Sequence, residues 1–289
     1  MQIRLATEAD FDELINFLDN SELFRDEKRG LDELKERFPR GEIDCFIAIE
    51  DGKIVGHSSI NYLDQHRTVP PYEPMVYLST MVVDPNYRKR GIAHALSDAY
   101  LSHLEQSGFQ GTVAGDALTW YSTPQKTLIQ AGFHPVSVRL DKQKPHIGFY
   151  RLFGLENEEA MLYVPDDLRE PVKSIISPLC TIEFGERGRG TIDETCQDLY
   201  VDNPSLFDNP EMGWRLDLTS EAAAATIDFL RHHPSNPHYC AGFKPFIDGD
   251  RFGVYVHMDK LSSQQFDRDA IKVIPEAQEL FDFVWDQCY

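Results

Sequence analysis

The spacing of apolar positions switches repeatedly between two periods along the chain, and the switches mark its elements. "QIRLAT" reads as a short strand. In "TEADFDELINFLDN", Phe11, Leu14, Ile15, Phe17 and Leu18 fall at helical spacing, with Thr7 placed as N-cap. "LDELKERF" predicts a second helix. "DCFIAIEDGKIVGHSSINYL" then takes a strand pattern, and Asp51-Gly52 between two apolar, β-branched runs predicts a hairpin. In "MVYLSTMVVDP", Val76, Leu78, Met81, Val82 and Val83 are too continuous for a surface edge, so this strand is expected to be central and to stop at Pro85. "GIAHALSDAYLSHLEQSG" aligns Ile92, Leu96, Ala99, Tyr100 and Leu104 on one side of a helix that Gly108 terminates. A strand ("FQGTVAG"), a short helix ("TPQKTLIQAGF") and two strands ("HPVSVRL", "IGFYRLFG") follow.

After "GLENEEA" the pattern restarts. "MLYVP" is strand-like and "DDLREPVKSIISPL" helix-like, and residues 185–212 mix Gly, Pro, Asn and Asp and contain loops. Then come a strand ("GWRLDL"), a helix ("TSEAAAATIDFLRHH", capped by Thr219 or Ser220), two strands about "DGD", and a C-terminal helix in "EAQELFDFVWDQ". The fold class expected is α/β of the α+β kind: a mixed central sheet flanked by helices over residues 1–154, and a second, smaller α/β domain over 160–289. A length of 289 residues agrees with two domains. No residue-level repeat relates the halves.

Composition narrows the partners. With 42% hydrophobic and 26% charged residues the chain is an ordinary soluble globular sequence. Its net charge of −20 argues against nucleic acid or an anionic membrane as partner, since both need cationic surface. No apolar run is long enough to span a bilayer. Five scattered cysteines without a CxxC read as reduced thiols in a cytoplasmic protein.

Against that acidic background "DPNYRKRGIA" places three cations, Arg88, Lys89 and Arg90, in a row before Gly91, Ile92 and Ala93. The triplet lies between a strand and a helix whose first amides lack intrahelical partners and carry the positive end of the helix dipole. Glycine admits a ligand close to the backbone, and arginine offers forked donors to phosphate. Spacing alone leaves two readings open, a diphosphate cradle and a solvated turn. Neither GxxxxGK[ST] nor GxGxxG is present.

The segment "VVDPNYRKRGIAHAL" resembles the acyl-CoA-binding motif of the GNAT N-acetyltransferases, R or Q, x, x, G, x, then G or A, with Arg88, Gly91 and Ala93 in order. "TPQKTLIQAGFHPVSV" resembles that family's segment in which a helix ends in Gly-Phe, here Gly132 and Phe133. The resemblance covers the first half. The second half is similar, more weakly, to the extra domain of two-domain members, a GNAT-like fold without its motif. The resemblance implies a GNAT-like sheet, acetyl-CoA as cosubstrate and no metal. It implies that Arg88, Lys89, Arg90, Gly91, Ile92 and Ala93 hold the pyrophosphate, and that Met81, Val82 and Val83 pair with the pantetheine amides. An amide such as that of Val83 would polarise the thioester carbonyl. The acceptor would be a primary amine of a small molecule or peptide.

The acid/base pair departs from the pattern. The family's carboxylate base falls at about Tyr77, with Glu73 a little earlier. Its tyrosine acid falls at Leu128, which leaves Tyr121 as the candidate acid and Tyr87 nearby. The alternative function is therefore a CoA-binding sensor or scaffold without turnover. Other stretches carry less. His232, His233 and His238 read as a solvated helix end rather than a metal site, and His57 as a packed strand residue. "GERGRG" and "DETCQDLYVD" read as a turn and a loop.

Overall fold

The computed structural model describes residues 1–21, 28–62, 75–140, 145–154, 158–186, 214–232, 238–248, 251–260 and 266–289. β1 (Gln2–Leu5) leads through a short 3-10 turn into α1 (Phe11–Asp19). At that turn Thr7 donates through both its amide and its hydroxyl to Asp10, each at 2.8 Å, and Arg4 pairs with the same carboxylate. α2 (Lys28–Arg37) precedes the hairpin of β2 (Ile43–Glu50) and β3 (Lys53–Tyr62). Asp51 and Gly52 both take positive φ at its tip, the conformation that an Asp-Gly pair favours. β4 (Met75–Val83) runs into α3 (Ile92–Gln106), and β5 (Gly111–Leu118) into α4 (Ser122–Gln130). β6 (His134–Arg139) and β7 (His146–Phe153) complete this half, element for element as the spacing predicts.

In the second half β8 (Glu159–Leu162), α5 (Arg169–Ile176) and β9 (Thr181–Phe184) form a small parallel pair with its crossover helix. β9 is a four-residue strand that the periodicity did not single out. β10 (Trp214–Asp217), α6 (Ala223–Arg231), β11 (His238–Asp248), β12 (Arg251–Lys260) and α7 (Pro275–Cys288) follow. α6 begins at Ala223, later than expected, because Thr219 is turned into the Asp217 carboxylate instead of capping the helix. His238 is buried at the start of β11, so it belongs to a strand and not to a solvated helix end.

Ten strands make one sheet in the order β1-β2-β3-β4-β5-β7-β6-β11-β12-β10. It therefore runs through both halves of the chain. The succession strand, helix, hairpin occurs twice, as β5-α4-β6-β7 and β10-α6-β11-β12, with the same spatial order in each, and the two units meet edge to edge at β6 and β11. At that seam Gly242 faces Ser137, and a Cβ on Gly242 would overlap the Val136 carbonyl and Ser137 itself. α7 packs across both seam strands. Gln125, fully buried in α4, donates to the Lys272 carbonyl at 2.7 Å and accepts from the Ile274 amide at 3.1 Å, tying the segment before α7 to the first half.

Helices cover two faces. α3 and α4 share one: a Cβ on Gly56 would meet Ile92 and Leu96, and one on Gly115 would meet Leu128. The main core cluster runs from Phe46 to Trp285. α1 and α2 cover the other face with a separate cluster of Leu14, Leu18, Leu31, Leu34, Cys45 and Ile47.

The seam generates a test. Gly242→Ala should lower unfolding stability by about 1–3 kcal/mol, as other overpacked sites do. Urea denaturation measures it, and an unchanged midpoint would contradict the close contact of β11 with β6.

Candidate active site

β4 and β5 are parallel, and they pair only from Met75↔Thr112 to Leu78↔Gly115. Beyond that rung β5 continues on β7 to Leu118↔His146, and β4 continues on β3 to Val83↔Gly56. The two strands fork. A bulge marks the fork: Ile60 pairs with Leu78 and Ser59 with Thr80, so Ser79 is the extra residue, its hydroxyl 2.6 Å from that of Ser59. Bulges bend strands and end pairing on one side. Met81, Val82 and Val83 are only half-buried, although their strand is central in the sheet.

Alternation sets which backbone groups face the opening. The Asp84 amide donates to Val55 on β3 at 2.9 Å. Amides alternate sides along a strand, so those of Val83 and Met81 face the side that β5 has left. The Val83 carbonyl lies on that side too, where Nε of Arg88 reaches it at 3.2 Å.

The loop after β4 is built locally. The Asp84 carboxylate accepts from the Asn86 amide at 2.8 Å and starts a 3-10 turn at Pro85–Tyr87. Lys89 and Gly91 then take φ of 63° and 78°. A positive φ is costly for lysine, and such strain gathers at ligand-holding loops. The first bond of α3 is Ala95 N–H to Gly91 O, so the amides of Ile92, Ala93 and His94 point out of the helix end. A Cβ at Gly91 would meet nothing within 4 Å, so the space over this turn is open. Arg90 stacks on Tyr87 at 4.9 Å, donates to the Asn86 carbonyl at 3.3 Å and lies 3.7 Å from Glu50. Arg88 and Arg90 thus brace the loop, while Lys89 is exposed.

The polar groups at the fork lie on the face opposite α3 and α4. Tyr77 shares that face with Ala114 and Asp116 by the two-residue period. Its hydroxyl donates to Asp116 at 2.7 Å. Burial first, then the Asp116 charge, pushes the Tyr77 phenol well above its ordinary range, so it stays a donor and cannot act as the base at that place. Asp116 faces Gly148 on β7, where a Cβ would come within 3.1 Å of the Asp116 carboxylate. His146 is on the same face, with Nε2 3.8 Å from Asp116. Arg139 on β6 pairs in register with His146. Neither Asp116 nor His146 stood out in the sequence; the signal was a carboxylate inside the otherwise apolar strand "GTVAGDAL".

Of the other expected residues, Tyr121 is 63% exposed at the N-cap of α4, and Leu128 is buried against Gly115. Glu73, His233 and the segment "DETCQDLYVD" lie outside the described residues, as do residues 187–190 of "GERGRG". Among the described residues no group of three or more His, Cys, Asp or Glu could hold a metal ion, and no helix is long and apolar enough to cross a membrane. The Cys45, Cys180 and Cys240 thiols are pushed up to about 12, chiefly by burial.

Residues 11–118 match the model of the Acetyltransferase (GNAT) family, and this part of the chain is a GNAT acetyltransferase domain. Similar solved structures include a ribosomal-protein-alanine N-acetyltransferase from Brucella melitensis, at 17% identity over 53% of this chain and 100% of that one (TM-score 0.43). A GNAT-family acetyltransferase from Bacillus cereus is similar at 22% identity over 52% of this chain and 96% of that one (TM-score 0.40). An aminoglycoside 6′-N-acetyltransferase complexed with coenzyme A is similar at 17% identity over 53% and 97% (TM-score 0.42). No match is found among curated proteins.

His57 gives a test of the sheet beside the fork. It pairs with Val82, is fully buried, and neither ring nitrogen has a partner among the described residues. Burial lowers its pKa to about 3. The unfolded chain takes up a proton at this residue below about pH 6.5 while the folded one stays neutral, so stability falls as pH drops through that window. The Asp10 carboxylate, held low by Arg4, adds its own loss at lower pH. Urea midpoints at pH 7 and 4.5 should therefore differ less in His57→Phe than in the native protein. An equal difference in both would contradict the buried neutral imidazole.

Proposed function

We propose that the protein is an acyl-CoA-dependent N-acyltransferase that moves an acetyl group from acetyl-CoA to a primary amine of a small molecule or peptide. The observation that carries this reading is the fork of β4 from β5 at the head of a loop that ends on an open helix N-terminus, within a GNAT domain. The fork offers unpaired strand amides, and the helix end offers amides and a positive dipole to a diphosphate.

The residues present fit such a cosubstrate. The amides of Gly91, Ile92, Ala93 and His94 would bind the pyrophosphate, with Lys89 adding an exposed cation and Arg88 and Arg90 holding the turn in shape. Met81 and Val83 would pair with the pantetheine amides as a strand would. Acetyl-CoA supplies the activated thioester carbonyl. The Val83 amide would hold its oxygen, and such fixed donors stabilise charge that develops on it. A second reading, a CoA-binding sensor or scaffold without turnover, draws on Leu128, buried where the resemblance expects a tyrosine acid.

CoA at about 100 times its dissociation constant should stabilise the protein by about 2.7 kcal/mol, visible as a rise in Tm. Gly91→Glu should abolish that rise and leave the unliganded fold intact, because a carboxylate would fill the diphosphate place. Retained CoA affinity in this variant would show the loop to be misassigned. Acetyl-CoA with a panel of primary amines (spermidine, a lysine peptide, an amino sugar) should release free thiol. CoA binding with no release across the panel would favour the sensor.

A further inference from the structure

We propose that Asp116 is the group that deprotonates the acceptor ammonium, and that Tyr77 and His146 position it and pass its proton on. This rests on the acyltransferase reading above. It supplies the base that the chain lacks on β4.

The position follows from the sheet. Asp116 is the first residue of β5 beyond the last rung shared with β4, so it stands in the crotch of the fork. The strand backbone that would hold the thioester carbonyl begins on the other prong. The resemblance puts a carboxylate base at about Tyr77. In its place stands a phenol whose hydroxyl touches a carboxylate from the neighbouring strand at 2.7 Å. The carboxylate is thus present at the fork, moved from β4 to β5, and tyrosine fills the distance between them.

The surroundings suit a base more than a structural ion pair. The Asp116 side chain is 40% exposed, so an incoming ammonium reaches it, and it is not locked in a salt bridge with arginine or lysine at hydrogen-bond distance among the described residues. Tyr77 occupies one direction on Oδ2 and fixes the carboxylate plane. Gly148 opposite leaves room for it, since a Cβ there would crowd the carboxylate oxygen. His146 Nε2, at 3.8 Å and 20% exposed, is near enough to take the proton after a small rotation and hand it to solvent. The titratable and charged groups that face this carboxylate are Tyr77 from β4, His146 and Tyr150 from β7, and Arg139 from β6.

The step balances. Asp116 takes one proton from R–NH3+, and the freed lone pair forms the C–N bond to the thioester carbon. The C–S bond breaks and its electron pair leaves on sulfur. The second N–H proton lost in forming the amide goes to that sulfur, giving free thiol. The proton on Asp116 passes by His146 to water. The sum is one amine cation and one thioester giving one amide, one thiol and one solvated proton.

The test uses the 289-residue protein and the panel amine with the fastest thiol release. Asp116→Asn should keep the thermal shift with CoA and lose about 100-fold or more in kcat/KM at pH 7. The deficit should shrink as pH approaches the amine's own pKa, and Asp116→Glu should restore part of the rate. Transfer to hydroxylamine, already unprotonated at pH 7, should fall far less. A readout apart from activity comes from tyrosinate absorbance. One tyrosine, absent in Tyr77→Phe, should ionise at lower pH in Asp116→Asn than in the native protein, because the neighbouring anion is gone. An Asp116→Asn protein with native rate and pH profile, or with an unshifted tyrosine titration, would overturn the assignment and leave the acyltransferase reading standing. A native protein that shows no CoA shift, or binds CoA without turnover, would sink both.

Discussion

The site depends on the parting of two parallel strands. In a continuous sheet every interior amide is spent on its neighbour, and no ligand could find a backbone to pair with. Here the ladder between β4 and β5 stops after Leu78 and Gly115. It stops because Ser79 is inserted as a bulge against β3, turning β4 away, while β5 stays committed to β7 along its whole length. The amides of Met81 and Val83 are released as a result. The turn from Asp84 to Gly91 follows directly on that strand, and α3 begins with amides that have no intrahelical partner. Backbone geometry thus does most of the assembly, and side chains mainly hold it: Asp84 starts the turn, Arg88 ties it to Val83, and Arg90 ties it to Tyr87 and Glu50.

The rest of the molecule packs around the two prongs or extends their sheet. α3 and α4 pack beneath the fork, with Gly56 and Gly115 admitting them closely. On the far side the sheet does not end at β6, as a free edge would, but continues through β11, β12 and β10. The second half therefore acts as an extension of the same sheet. Its α7 crosses the junction, and Gln125 threads a buried amide between the segment before α7 and the helix that follows β5. An exposed strand edge is an aggregation hazard, and here it is covered by pairing. The repeated strand–helix–hairpin order explains how two such units meet: each offers the outer strand of its hairpin to the other.

Much of this was legible in the sequence because it depends on local chemistry. Asp51-Gly52 named its hairpin, the run from Val76 to Val83 named a central strand, and Arg88, Gly91 and Ala93 named a loop with a resemblance attached. Three things were not legible, for a shared reason. The fork requires knowing that β4 and β5 pair for four residues and then part, which is a fact about register between strands. Asp116 gains its meaning only from Tyr77, thirty-nine positions away in the chain. The joining of both halves in one sheet runs through the pairing of β6 with β11 at Ser137 and Gly242, which no periodicity encodes. Tyr77 stands about where the resemblance expects a carboxylate, and its hydroxyl donates to the Asp116 carboxylate of the neighbouring strand.

Amide hydrogen exchange with and without CoA tests the central claim most directly. The account predicts slowed exchange confined to Met81 and Val83 on the open side of β4 and to residues 89–94 at the head of α3. Protection centred elsewhere, with these amides exchanging as before, would contradict it.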